Sequence, residues 1–438
     1  MALIETVRSA AVPFNGADVE GIVERLASAS HVLLGEATHG THEFYRLRSA
    51  ITRRLIEKHG FTAVVVEADW PDAYRINRWI RGMGTDRSAE ESLRGFQRFP
   101  TWMWRNTDVL ELVTWLRDWN AARDVDSRAG FYGMDLYSLH TSIGVVLDYL
   151  GKIDPDAARR ARYRYSCFDH FGEDVQAYGY AATFGLARGC EDDVIAQLVE
   201  LRRRAADYAT RDGRAAEDDY FFSEQNARVV LNAERYYRSM FAGRVESWNL
   251  RDSHMVETLD ALRAHLARGG RTSRFIVWAH NSHLGDARAT DMGRAGEHNV
   301  GQLIRQKHGR DAVLVGFTTH TGTVTAASEW DGPAETKNVV PSLAGSYERL
   351  FHDAGIPQFF IALDDERVRD EFAAPRLERA IGVIYLPRTE RMSHYFQASL
   401  ARQFDLVIHV DTTRALNALE RVAPEHSLEP VETYPTGM

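Results

Sequence analysis

Residues 31–44, HVLLGEATHGTHEF, restrict this chain to folds in which a buried strand runs through a polar turn into a helix. His31, Val32, Leu33 and Leu34 form a short apolar run of the kind that is covered on both faces of a parallel sheet. Gly35 breaks the run, and Glu36, Thr38, His39 and His42 follow closely. Phe44, Leu47, Ile51 and Leu55 then recur at helical spacing. An α/β protein presents chemistry in this way, because the carboxyl end of a buried strand opens into a crevice. A plainer reading makes Glu36 a helix cap and His39 a turn residue.

The pattern returns further along. Residues 61–68 (FTAVVVEA) read as a strand ending in Glu67, with Asp69 close behind. Residues 130–135 (GFYGMD) end in Asp135, and residues 274–279 (RFIVWA) run directly into His280, Asn281, Ser282 and His283. Further strands are expected at 312–318, 358–363, 381–386 and 405–410. Helices are expected at 17–29, at 41–59 with Gly60 as its stop, at 71–81, at 107–122 and at 248–269. Residues 86–106 are rich in Phe and Trp (Phe96, Phe99, Trp102, Trp104), which suits packing against the sheet for most of them and a binding wall for the rest.

From about residue 153 to 245 strand signals vanish, and long helical stretches rich in Arg, Ala and Tyr replace them. The expected fold is therefore α/β, a mostly parallel central sheet flanked by helices and carrying a large helical insertion. Residues 1–152 and 247–438 would form the two parts of the α/β core, and 153–246 the insertion. A chain of 438 residues has room for this, since it exceeds one ordinary core. The tail after Ala423 has little periodicity and reads as loosely held.

Composition excludes some classes. A net charge of -9 argues against a nucleic-acid partner bound by phosphate neutralisation. No stretch approaches the roughly 20 apolar residues of a membrane helix, and the N-terminus has no leader pattern. Cys167 and Cys190 are too few for a disulfide framework and read as packing residues in a reducing compartment. A soluble, cytoplasmic protein without membrane or nucleic-acid partners is the expectation.

Parallel strands deliver their carboxyl ends to one face, so Glu36 and His39, then Glu67, then His280 and His283 converge there as a candidate active site. Neutral imidazole is suited to deprotonating water near pH 7, so His39 is the candidate base. Glu36 or Glu67 could hold its tautomer. Arg48, one turn beyond Phe44 and directed back toward Glu36, could join His280 or His283 in donating hydrogen bonds to an oxyanion. No G-x-S-x-G elbow suggests a serine nucleophile, and Ser282 reads as structural. The rival reading is a metal centre, with three histidines and two carboxylates holding zinc or manganese and His280 and His283 as a chelating pair. Trp104, Asp135, Arg251, Asp252 and His394 are weaker candidates for substrate contact or support. An internal salt bridge from Arg251 to one of these acids is the alternative, and His254 shares their position. His42 reads as a helix-face residue and His320 as a loop residue.

Taken together, Gly35-Glu36-Ala37-Thr38-His39-Gly40, Arg48, Glu67 and Ala279-His280-Asn281-Ser282-His283 resemble the erythromycin esterase family, including its succinoglycan biosynthesis protein-like branch. Residues 102–106 (WMWRN) and 391–396 (RMSHYF) look more like that broad branch than the macrolide-hydrolysing members. The resemblance implies a sheet-based fold with a helical insertion and a hydrolase that opens a small-molecule ester or macrolactone with water, without a cofactor. It implies His39 as catalytic base, with Glu36, Arg48, Glu67, His280 and His283 around it. A metal-dependent hydrolase using the same cluster, or a non-catalytic small-molecule binder, are the alternatives.

Overall fold

A computed structural model describes residues 2–419 apart from 173, 210–212, 242 and 271. Its strands are β1 (Val12–Pro13), β2 (His31–Leu34), β3 (Ala63–Asp69), β4 (Gly130–Asp135), β5 (Phe275–Trp278), β6 (Ala312–Ala326), β7 (Glu335–Val339), β8 (Gln358–Ala362), β9 (Arg376–Arg379), β10 (Tyr395–Ala398) and β11 (Leu406–Thr413). The main sheet runs β1-β8-β11-β6-β2-β5-β3-β4, with β7 on the outer half of β6. Pairing is parallel from β11 through β4 and antiparallel at β8, β1 and β7. The class is the mostly parallel α/β sheet that the apolar runs predict.

Alternation along each strand explains why both faces are covered. Val32 and Leu34 of β2 enter one core with Phe44, Leu47, Ile51 and Leu55 of helix His42–His59. Leu33 faces the opposite core, against Met255, Leu259 and Leu262 of helix Arg244–Leu266. The first helix stops where Gly60 takes a left-handed φ of 66°. Helices Leu139–Ile153, Pro155–Tyr165, Val175–Thr183, Glu191–Arg203 and Gly213–Ser239 share a separate core around Leu150, Tyr165, Leu198 and Val230.

Four expectations are corrected. Residues 381–386 form no strand: Ile381 and Ile384 make single bridges to Thr38 and Ala327, because this apolar stretch faces the β2 turn and a cavity rather than a sheet. The strand lies earlier, as β9 paired with β10. His320 sits on β6, which continues past the sheet into its hairpin with β7. The helix expected at 248–269 begins at Arg244. The two cysteines are bonded to each other, because the turn Ser166–Phe171 folds onto the start of helix Glu191–Arg203 and brings their Cα atoms to 5.9 Å. The tail after Ala423 lies outside the described residues.

The turn after β2 is pinned on every side. Gly35 N–H donates to Val315 O (2.8 Å), Asn281 N–H to Glu36 O (2.8 Å), and Thr325 N–H to Gly40 O (3.0 Å). Both glycines are close-approach positions: a Cβ would lie 2.2 Å from Asn281 Oδ1 at Gly35 and 1.8 Å from Thr325 O at Gly40. The second obstacle is backbone, so it cannot rotate away. Gly40→Ala is expected to cost about 2–3 kcal/mol. Urea unfolding measures this, and an unchanged midpoint would refute the packing argument.

Candidate active site

β2 delivers Glu36, which is almost fully buried, and its two oxygens are shared out. Oε1 lies 3.0 Å from His39 Nδ1, and Oε2 accepts from Arg48 Nη2 at 2.5 Å. Arg48 has no exposed surface, and its guanidinium lies over the rings of Tyr45 (4.4 Å) and Trp278 (4.7 Å). With Glu36 accepting the Nδ1 proton, His39 keeps a lone pair on Nε2. His39 itself lines a cavity of about 530 Å³.

β3, β4 and β5 supply the rest of the floor. Glu67 Oε2 accepts from the backbone N–H of His280 at 2.9 Å, and Oε1 accepts from Arg251 Nη2 at 2.9 Å. Arg251 also grips Asp135 with two bonds, Nε to Oδ1 (3.0 Å) and Nη2 to Oδ2 (2.6 Å). The next residue, Asp252, holds His283 Nδ1 at 3.0 Å and accepts from Val300 N–H at 2.9 Å. His283 Nε2 is 3.3 Å from Glu67 Oε1, and Trp248 stacks on its ring at 4.6 Å and 6°.

These contacts drive two histidines, three positions apart, to opposite states. Burial opposes charge on His283, yet Asp252 and Glu67 hold its pKa up at about 10. Burial, reinforced by His39, takes His280 down to about 3. Ser282 N–H donates to His280 Nδ1 (3.2 Å), so the neutral ring carries its proton on Nε2, which has no protein partner. The His280 and His39 rings are 4.9 Å apart. Glu67 would be raised by burial, but His283, His39 and Arg251 bring it well below the usual carboxylate range. Burial works against Arg251 too, and Asp135 leads the groups that raise it above its ordinary value.

The structure thus brings together all six residues of the sequence-derived set. His39, Glu67, His280 and His283 line the cavity, while Glu36 and Arg48 stand behind His39. Glu36, and not Glu67, holds His39. Of the weaker candidates, Trp104, Asp135, Arg251 and His394 line the cavity, and Asp252 supports His283 from behind. His394 is buried and accepts from Leu386 N–H (3.1 Å), which fixes the rim; burial lowers its pKa to about 4. His254 instead meets Asn232 (2.8 Å), and His42 meets Asp108 (2.8 Å). Phe96, Phe99 and Trp104 face the cavity, whereas Trp102 belongs to the core.

Tyr137, Arg98 and Trp248 are among the cavity residues that escaped the sequence reading. The guanidinium groups of Arg98 (5.1 Å) and Arg251 (4.9 Å) both lie over the Tyr137 ring, and Arg98 Nη1 donates to Asp69 Oδ2 (3.0 Å). The strand-end rule would have found Tyr137, two residues past Asp135. Trp248 precedes Arg251 and Asp252 by about one helical turn, so helical spacing places it on their face. Arg98 left no local signal. Among the described residues, no group of three or more His, Cys, Asp or Glu side chains is arranged to hold a metal ion.

With this geometry in view, comparisons with known proteins are informative. The erythromycin esterase family model matches residues 56–413. Erythromycin esterase type II of Escherichia coli is 22% identical over 386 residues, covering 82% of this chain and 88% of that one. Two solved structures share the fold: a succinoglycan biosynthesis protein (TM-score 0.75, 19% identity, 95% of this chain and 98% of that one) and an erythromycin esterase mutant in its open conformation (0.66, 17%, 91% and 95%).

The His283 imidazolium makes a signed prediction. Its pKa is raised on folding from an ordinary value of about 6.5. The stabilisation is therefore complete below about 6.5 and is lost as pH rises through about 10. Asp252→Asn removes the first of its anions and is expected to cost about 3 kcal/mol near neutrality. Thermal unfolding across this range should show the gap between variant and wild type closing toward pH 10. A gap that stays constant would mean that His283 is not held charged.

Proposed function

The chain belongs to the erythromycin esterase family, and from that membership we propose a hydrolase that cleaves a carboxylic ester or lactone with water activated by His39. The observation that carries this reading is the buried Arg48–Glu36–His39 chain ending on the cavity. Nε2 of His39 takes a proton from water, and the resulting hydroxide adds to the substrate carbonyl carbon. Glu36 keeps the imidazole in register and stabilises the imidazolium. The tetrahedral oxyanion accepts hydrogen bonds, with neutral His280 Nε2–H as the nearest candidate donor and the His283 imidazolium adding positive potential. As the intermediate collapses, the carbon–oxygen bond to the alcohol breaks, and His39 returns its proton to the leaving oxygen. Products are a carboxylic acid and an alcohol, or one hydroxy acid when the substrate is a lactone.

The cavity suits a small-molecule substrate, since about 530 Å³ with aromatic walls falls within the usual range for ligand pockets. This reading requires no metal: of the five groups the metal reading would use, Glu36 is held by Arg48, Glu67 by Arg251 and His283 by Asp252. No helix among the described residues is long and apolar enough to cross a membrane.

The test is hydrolysis of a panel of simple esters, lactones and macrolides, with and without chelator. His39→Ala is expected to lower kcat by about 10²–10⁴-fold while wild-type turnover survives chelation. Turnover unaffected by His39→Ala would overturn the mechanism, and chelator-sensitive turnover would put the metal-dependent reading in its place.

A further inference from the structure

Resting on that hydrolase reading, we propose that the natural substrate carries no anionic group: the cavity takes uncharged or cationic esters and rejects those bearing carboxylate, phosphate or sulfate. The argument begins with the cations, each of which is already committed. Arg251 is held by Asp135 and Glu67 (2.6 and 2.9 Å), and Arg98 by Asp69 (3.0 Å). His283 lies between Asp252 (3.0 Å) and Glu67 (3.3 Å). Arg244, on the exposed rim, lies 3.1 Å from Glu297.

Acids surround these cations: Glu67, Asp69, Asp72 and Asp135 line the cavity, and Asp252 and Glu297 stand behind His283 and Arg244. Their crowding leaves a trace. Burial raises the pKa of Asp69 and of Glu297, and a further carboxylate (Asp135 for Asp69, Asp252 for Glu297) adds to each rise. An incoming anion would have to displace one of these acids or remain unpaired beside them. The walls point the same way, because aromatic ring faces are electron-rich and attract cations rather than anions. Phe99 and Trp330 stand edge to face on the cavity wall, with ring centres 5.5 Å apart.

The test uses three aryl esters with one leaving group and matched acyl chains: a butyrate, a hemisuccinate and a 4-(trimethylammonio)butyrate. The hemisuccinate is expected to show kcat/KM at least about a hundredfold below the butyrate, and the cationic ester to match or exceed the butyrate. A hemisuccinate within threefold of the butyrate would overturn the proposal. The non-hydrolysable amides of the same three acids give a second, independent reading through quenching of tryptophan fluorescence, since Trp104, Trp248 and Trp330 line the cavity. The same order of binding supports the charge rule, and equal binding overturns it. If no ester is cleaved, the hydrolase reading fails while the amides still decide the charge rule.

Discussion

The site depends on one buried ion pair, Arg48 with Glu36. Both side chains are withdrawn from water, so neither charge would be tolerable alone, and removing either partner would leave several kcal/mol uncompensated. The pair persists because Arg48 has more than one kind of partner: a carboxylate at its tip and two aromatic faces alongside. Of these, Tyr45 belongs to the same helix, whereas Trp278 ends β5 and donates its Nε1–H to Thr52 (3.1 Å) one turn further on. Arg48 therefore locks helix His42–His59 onto the strand that leads into His280 and His283. The orientation of His39 follows from the same lock, since Glu36 cannot turn without giving up the guanidinium.

A second ionic layer lies across the cavity and joins elements distant in the chain. Arg251 links the ends of β3 and β4, and Asp252 reaches past it to His283 beyond β5. Both come from helix Arg244–Leu266, which begins where the helical insertion ends. That helix is thus tied to the floor of the cavity by charge as well as by packing. The two histidines after β5 show how environment divides labour. Burial keeps His280 neutral, one backbone N–H leaves its proton on Nε2, and two carboxylates keep His283 cationic. Placing two identical side chains on either side of neutrality yields a neutral donor and a fixed positive charge within one turn of chain.

What the sequence disclosed follows from the range of the forces involved. β2, β3, β4 and β5 were legible because a buried parallel strand needs a continuous apolar run, and the polar residues that end it stand out. Glu36, His39, Glu67, His280 and His283 were found by that rule, and Arg48 by helical spacing. The pairing of Cys167 with Cys190 was not, since two cysteines 23 residues apart meet only after several helices have packed. Arg98 was missed for the same reason, because its partners Asp69 and Tyr137 lie on β3 and just past β4. The antiparallel edge, β8 and β1, is set by neighbours that no local pattern encodes.

Residues 381–386 carry the point furthest. Their apolar content matches a strand, yet they serve as a wall. Ile381 clasps the turn after β2, with its N–H on Ala37 O (2.8 Å) and its O accepting from His39 N–H (3.3 Å). The far side of the wall is moored on Arg379, fully buried, beside Glu390 (3.1 Å), while Tyr385 donates to the same carboxylate (2.8 Å). Glu348 is buried near that one cation and Glu378 near Glu348, and burial raises the pKa of all three glutamates. Groups raised on folding stabilise the fold at low pH and lose that contribution as pH climbs through their folded values. Burial thus raises the proton affinity of the acids behind the wall, while His283, His39 and Arg251 lower that of Glu67 on the floor. A segment with both duties has no reason to alternate like a strand, and that is why periodicity misread it.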